Sequence, residues 1–302
     1  MKIIDQFIHH RYSKLVLLDH VYNGNKPADV LILGDSVMER VAREDTDRRS
    51  LGQMIGDGLK PDHSSLVLSG TGYHPWVYYD LLLALSWMRH RPKVVVYPIN
   101  LRCFSPQWDL NPAWWYNDVH QIIVHYYWSG SVGRVLTRKP SRDALVTFRG
   151  TRVVYPTSIL KTVGEFLDAI AKKPTSAEEA RLRKETIFTF HYMYPIENRS
   201  DKVLAIKASL RLAREFGMNV LAYITPINFI AGKNFAGPAF RSQIASNIGI
   251  LSEAIKPHSG IDWSRIFGPG LFFSEDLATE HINQDGRQEL SSRIIQEIKN
   301  IR

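Results

Sequence analysis

The feature that most constrains this chain is a recurring rhythm: a short apolar run, a turn residue, then a helical pattern. The runs "VLILG" (30–34), "SLVLSG" (65–70), "KVVVYPIN" (93–100) and "MNVLAYITPIN" (218–228) are rich in β-branched and aromatic residues and too short for buried helices. Runs that are apolar throughout fit strands buried on both faces, which is the condition of a parallel sheet covered by helices. Between them the pattern predicts helices over 41–59, 74–90, 201–217 and 285–301, and "GIDWSRI" adds a short strand. In such sheets a ligand sits beyond the carboxyl ends of the strands. Gly34, Gly70, Pro98, Asn100, Pro226 and Asn228 gather at those ends.

The stretch from about residue 103 to 200 breaks the rhythm. It opens rich in aromatics, including Trp108, Trp114, Trp115, Tyr116, Tyr126, Tyr127 and Trp128, then turns basic, then helical and charged. It reads as a mostly helical insertion, about 103–200, in a single domain spanning 1–302. The aromatics serve either to pack that insertion or to stack on sugar rings. The chain carries 38 Lys and Arg against 30 Asp and Glu, a net charge of +8, which favours an anionic partner or substrate. Its densest basic cluster, Arg134, Arg138, Lys139, Arg142, Arg149 and Arg152, is either a solvated face or a docking surface. Charge alone is a poor case for nucleic acid without a recognition motif, so none is expected as a partner. Cys103 is the only cysteine, which excludes an internal disulfide and a thiolate metal cluster. No apolar run reaches the roughly 18 residues of a membrane span, and the N-terminal stretch is broken by charges where a signal peptide would be apolar. A cytoplasmic location is the expectation.

Chemistry concentrates in two short stretches. In "LGDSV" Ser36 sits at a strand-to-helix turn, where it can cap the helix or be presented as a nucleophile, and where backbone N–H groups and the helix dipole favour negative charge. The G-x-S-x-G elbow of ordinary α/β-hydrolases is absent, because Met38 holds the place of its second glycine. Far along the chain, "SEDLATEHINQDG" offers His281 with Asp276 and Glu280 close before it. An acid beside a histidine can fix its tautomer and stabilise the imidazolium. Neither the histidines nor the acids show metal-ligand spacing, and no metal or cofactor is expected.

Taken together, "GDSV", the glycine after the second strand in "SGTGYHP", the asparagine after the third in "YPIN", and "HINQDG" resemble the four ordered blocks of the SGNH/GDSL hydrolase superfamily. The resemblance covers most of the chain apart from the insertion. It implies a flavodoxin-like three-layer α/β/α sandwich and a serine esterase or acyltransferase mechanism without a cofactor. It makes Ser36 the nucleophile and His281 the general base. The oxyanion hole would be the Ser36 N–H, the Gly72 N–H and the Asn100 amide, with Gly70 the alternative to Gly72. The family's acid stands three residues before the histidine, where this chain has Ala278. Asp276 is the favoured substitute, with Glu280 or a bare Ser-His dyad as alternatives, and Asn228 is a candidate pocket wall. The implied substrate is an acyl ester, of a carbohydrate or a surface-polysaccharide precursor. A non-catalytic glycan- or partner-binding domain is the alternative.

Overall fold

The computed structural model describes residues 14–112, 141–156, 158–258 and 260–301. Five strands, β1 (Val30–Gly34), β2 (Ser65–Ser69), β3 (Val94–Ile99), β4 (Asn219–Ile224) and β5 (Gly260–Asp262), form one sheet in the order β2-β1-β3-β4-β5. Every pairing is parallel, and this order is that of the flavodoxin-like doubly wound fold. The helices in chain order are α1 (Ser36–Glu39), α2 (Leu51–Leu59), α3 (Pro75–Ser86), α4 (Pro106–Asp109), α5 (Arg142–Gly150) and α6 (Val163–Ala171). They continue with α7 (Ala177–Tyr192), α8 (Asp201–Glu215), α9 (Phe229–Ala236), α10 (Pro238–Ile255) and α11 (Gln284–Asn300).

Strand periodicity divides the core into two layers. Leu31, Leu33, Val95, Tyr97, Val220 and Ala222 face α3, α8 and α10 through Leu81, Leu82, Ile206, Leu210, Ile244 and Leu251. The alternate residues Val30, Ile32, Val94, Val96, Leu221 and Tyr223 face α2 and α11 through Leu51, Ile55, Leu290 and Ile294. The strands therefore need apolar side chains on both faces, which is why they read as unbroken runs. Burying each such side chain contributes roughly 1.5–3 kcal/mol.

Only the second half of the expected helix over 41–59 forms. α1 ends after one turn at Glu39, and α2 starts only at Leu51, where Ser50 and Gln53 form a reciprocal capping box. The intervening segment turns and bends, and is held by a buried arginine described below. The described part of the insertion is mostly helical, in α4, α5, α6 and α7. It shares the main core: Tyr155, Phe166, Phe188 and Phe190 lie in the same cluster as α3 and α8, with Phe166 and Phe190 stacked at 5.0 Å. Trp114, Trp115, Tyr116, Tyr126, Tyr127, Trp128, Arg134, Arg138 and Lys139 lie outside the described residues. Among the described residues no helix is long and apolar enough to cross a membrane.

Because the strands run parallel and nearly in register, Gly34, Ser69, Ile99 and Ile224 end on one edge of the sheet. β1 pairs with β2 on one side and β3 on the other, so the connections reverse direction at β1. That reversal opens a crevice at the end of β1, where Ser36 follows.

Candidate functional site

Ser36 is placed by its two predecessors. A side chain at Gly34 would collide with Met38, so only glycine lets the chain fold back into α1 at once. Asp35 is the N-cap of α1, its carboxylate accepting from the Val37 N–H at 2.8 Å. The other carboxylate oxygen accepts from Asn100 Nδ2, also at 2.8 Å. Burial pushes the Asp35 carboxyl up, against the hydrogen bonds from Val37 and Asn100 and the charge of Arg102. Asp35 therefore ties the end of β1 to the end of β3. With only four residues, α1 carries little dipole; charge stabilisation here depends on individual N–H donors.

Those donors surround a small cavity of about 20 Å³, lined by Ser36, Gly72 and Asn100 together with Tyr73, His74, Arg102 and Trp108. That is space for about one water-sized group. Asn100 Oδ1 accepts from the Arg102 N–H at 2.9 Å, and one Nδ2 hydrogen goes to Asp35, which leaves the second for the cavity. Gly72 has φ +76° and lines the cavity. Gly70 donates its N–H to the Gly34 carbonyl at 3.2 Å, which removes it as a donor to a ligand, whereas Gly72 lines the cavity. Cys103 also lines the cavity, but burial pushes its thiol up to about 12, so it carries its proton at neutral pH. A larger cavity of about 630 Å³, between Leu110, Phe148 and Arg199, includes none of Ser36, Asn100 or His281 in its lining.

His281 reaches this site from the loop before α11. Its Nε2 is 3.0 Å from Ser36 Oγ, joining residues 245 positions apart. The loop is fixed by the Phe272–Ile282 bridge, by the Phe273 N–H to the His281 carbonyl at 2.9 Å, and by Asn283 capping α11. Burial, then the charges of Arg102 and Arg40, push the imidazole down to about 3, so it is neutral across the ordinary pH range. Nδ1 lies 3.4 Å from the hydroxyl of Thr279.

Neither expected acid faces His281. Asp276 is half exposed; it pairs with Lys184 of α7 and accepts from Ser274 Oγ at 3.1 Å. Glu280 is fully buried and points the other way, accepting from Tyr192 Oη at 2.6 Å and pairing with Arg102 Nη2 at 2.8 Å. Burial pushes its carboxyl up, although the Arg102 charge favours ionisation. The expectation that Asp276 orients the histidine is thus corrected: both acids hold the loop to its surroundings. Asn228 is corrected too. It does not line the cavity around Ser36; it caps α9 and donates to the carbonyls of Ser274, Glu275 and Leu277 at 3.3, 2.9 and 3.3 Å.

The sequence reading missed Arg102, Arg287 and Thr279. Arg287 is entirely buried, with Nη1 on Asp45 at 2.6 Å, Nε on the Arg49 carbonyl at 3.1 Å and Nη2 on the Asp47 carbonyl at 3.0 Å. Gln284 adds bonds to Asp45, Thr46 and Asp47. This clamp joins the segment after Ser36 to the segment after His281 and explains why 41–50 is not helical. An arginine among charged neighbours on an amphipathic helix gives no signal of such a role. Comparison with models of protein families and with curated proteins found no match to this chain.

Proposed function

We propose that this chain is a serine hydrolase or acyltransferase that cleaves an acyl ester through a covalent acyl-enzyme. The observation that carries the reading is the 3.0 Å contact between Ser36 Oγ and His281 Nε2, made across 245 residues at the switch point of the sheet. In this reading Ser36 Oγ attacks the ester carbonyl while Nε2 takes its proton. The carbonyl oxygen, now an oxyanion, occupies the water-sized cavity among the Ser36 and Gly72 N–H groups and the free Asn100 N–H. His281 then returns the proton to the leaving alcohol, and water or an acceptor hydroxyl resolves the acyl-enzyme by the same steps reversed. The net charge of +8, and Arg40, whose charge reaches His281, favour an anionic carrier for the ester. A carbohydrate or surface-polysaccharide precursor is the class put forward.

One observation favours the alternative of a non-catalytic glycan- or partner-binding domain: among the described residues no carboxylate acts on His281. A serine-reactive fluorophosphonate separates the two. Labelling of the wild-type chain, lost in Ser36→Ala by about 10³-fold or more, together with hydrolysis of short aryl esters, is the expected result. Equal labelling of both proteins, or none of either, would count against the enzyme reading.

A further inference from the structure

For His281 Nε2 to take a proton from Ser36, that nitrogen must hold a lone pair, so Nδ1 must carry the hydrogen. A buried N–H needs an acceptor. The atom opposite Nδ1 is Thr279 Oγ1 at 3.4 Å, and the same oxygen accepts the backbone N–H of His281 at 3.0 Å. Thr279 is only 8% exposed, so the hydroxyl is fixed in place beside the ring. The two acids expected to face the ring are turned elsewhere, Asp276 to Lys184 and Glu280 to Tyr192 and Arg102.

We propose that Thr279 is the positioning residue for His281, its hydroxyl accepting the Nδ1 hydrogen so that the relay Ser36–His281–Thr279 has an uncharged third member. The role as a relay rests on the serine-nucleophile reading; the orientation of the ring does not.

An uncharged third member changes the chemistry in two ways. A carboxylate at Nδ1 would stabilise the imidazolium and raise its pKa, whereas a hydroxyl adds no charge. The groups facing His281 are Ser36 and Arg40 from the segment after β1, Arg102 from the turn after β3, and Thr279 and Phe273 from its own loop. None supplies a negative charge, and the Glu280 carboxylate is spent on Arg102. The imidazole therefore remains an unprotonated base well below the ordinary histidine value of about 6.5. The acid limb of Ser36 reactivity accordingly falls near the folded value of about 3. A hydroxyl can also donate, so Thr279 favours the productive tautomer without excluding the other, which a carboxylate would exclude.

The test is ¹⁵N NMR of the full chain with labelled histidine, the His281 signals assigned from His281→Gln. Wild type and Thr279→Ser are expected to show the Nδ1–H tautomer, and Thr279→Val to shift toward Nε2–H. Thr279→Asp should keep Nδ1–H and raise the titration midpoint by about two units or more. Wild-type tautomer and midpoint in Thr279→Val would overturn the proposal. Should that variant not fold, an unmoved midpoint in Thr279→Asp overturns it equally. The pH dependence of fluorophosphonate labelling is read alongside: its acid limb should move up in Thr279→Asp. Absence of Ser36-dependent labelling would remove the nucleophile reading while the tautomer result still decides what Thr279 does.

Discussion

The two halves of the site are built in opposite ways. The Ser36 side is local: Gly34 permits the turn, Asp35 caps it, and one bond from Asn100 braces it. The His281 side is anchored by contacts with distant parts of the chain. Arg287 holds it to 45–49, Asn228 holds 274–277, and Lys184 and Tyr192 of the insertion hold Asp276 and Glu280. A nucleophile needs a sharp turn and little else. A base in a loop must be kept within a fraction of an ångström of its partner, and only contacts across the fold can do that.

Damage to the anchors should therefore loosen His281 while leaving the Ser36 turn intact. Arg287→Met should have the largest effect, because it leaves Asp45 charged and buried without its partner. Breaking such a pair costs about 3–5 kcal/mol, which urea unfolding measures. At urea concentrations where the variant remains folded, fluorophosphonate labelling should be slower than in wild type. Unchanged stability would show that the anchoring is redundant.

Asn100→Ala tests the local side. It removes the proposed oxyanion donor and a bond to Asp35, and should lower kcat for aryl esters by about 10²-fold or more with little change in KM. A pure KM effect would mean that Asn100 serves substrate binding instead. The smallest effect is expected for Asp276→Ala. Its ion pair with Lys184 is at the surface, where such pairs contribute about 0–1 kcal/mol, so labelling should stay at the wild-type rate. A large loss there would restore Asp276 as a group acting on His281.

The same contrast explains what could be read from the residues alone. The sheet was visible because strands buried on both faces cannot hide their apolar runs. Ser36, Gly72 and Asn100 were visible because each follows a strand whose end could be located. His281 was found, but its environment was not, because Asp276 and Glu280 are near in sequence and turned away in space. Sequence proximity says nothing about which direction a loop residue faces. Thr279, in "LATEH", carries no pattern that marks it, and Arg287 is indistinguishable in sequence from a solvated helix arginine. The helix expected through 41–50 failed for a related reason: a buried guanidinium over 230 residues away offers those carbonyls better partners than a helix would.

The Arg287 clamp also has a consequence for the order of synthesis. Ser36 and its turn can form as soon as β1, β2 and β3 have emerged from the ribosome, but the contacts that complete the site span 237 to 245 residues. Contacts of such long sequence separation form late in folding. A nascent chain therefore carries Ser36 without its His281 partner through most of its production, and the pair comes together only when residues 281–287 dock.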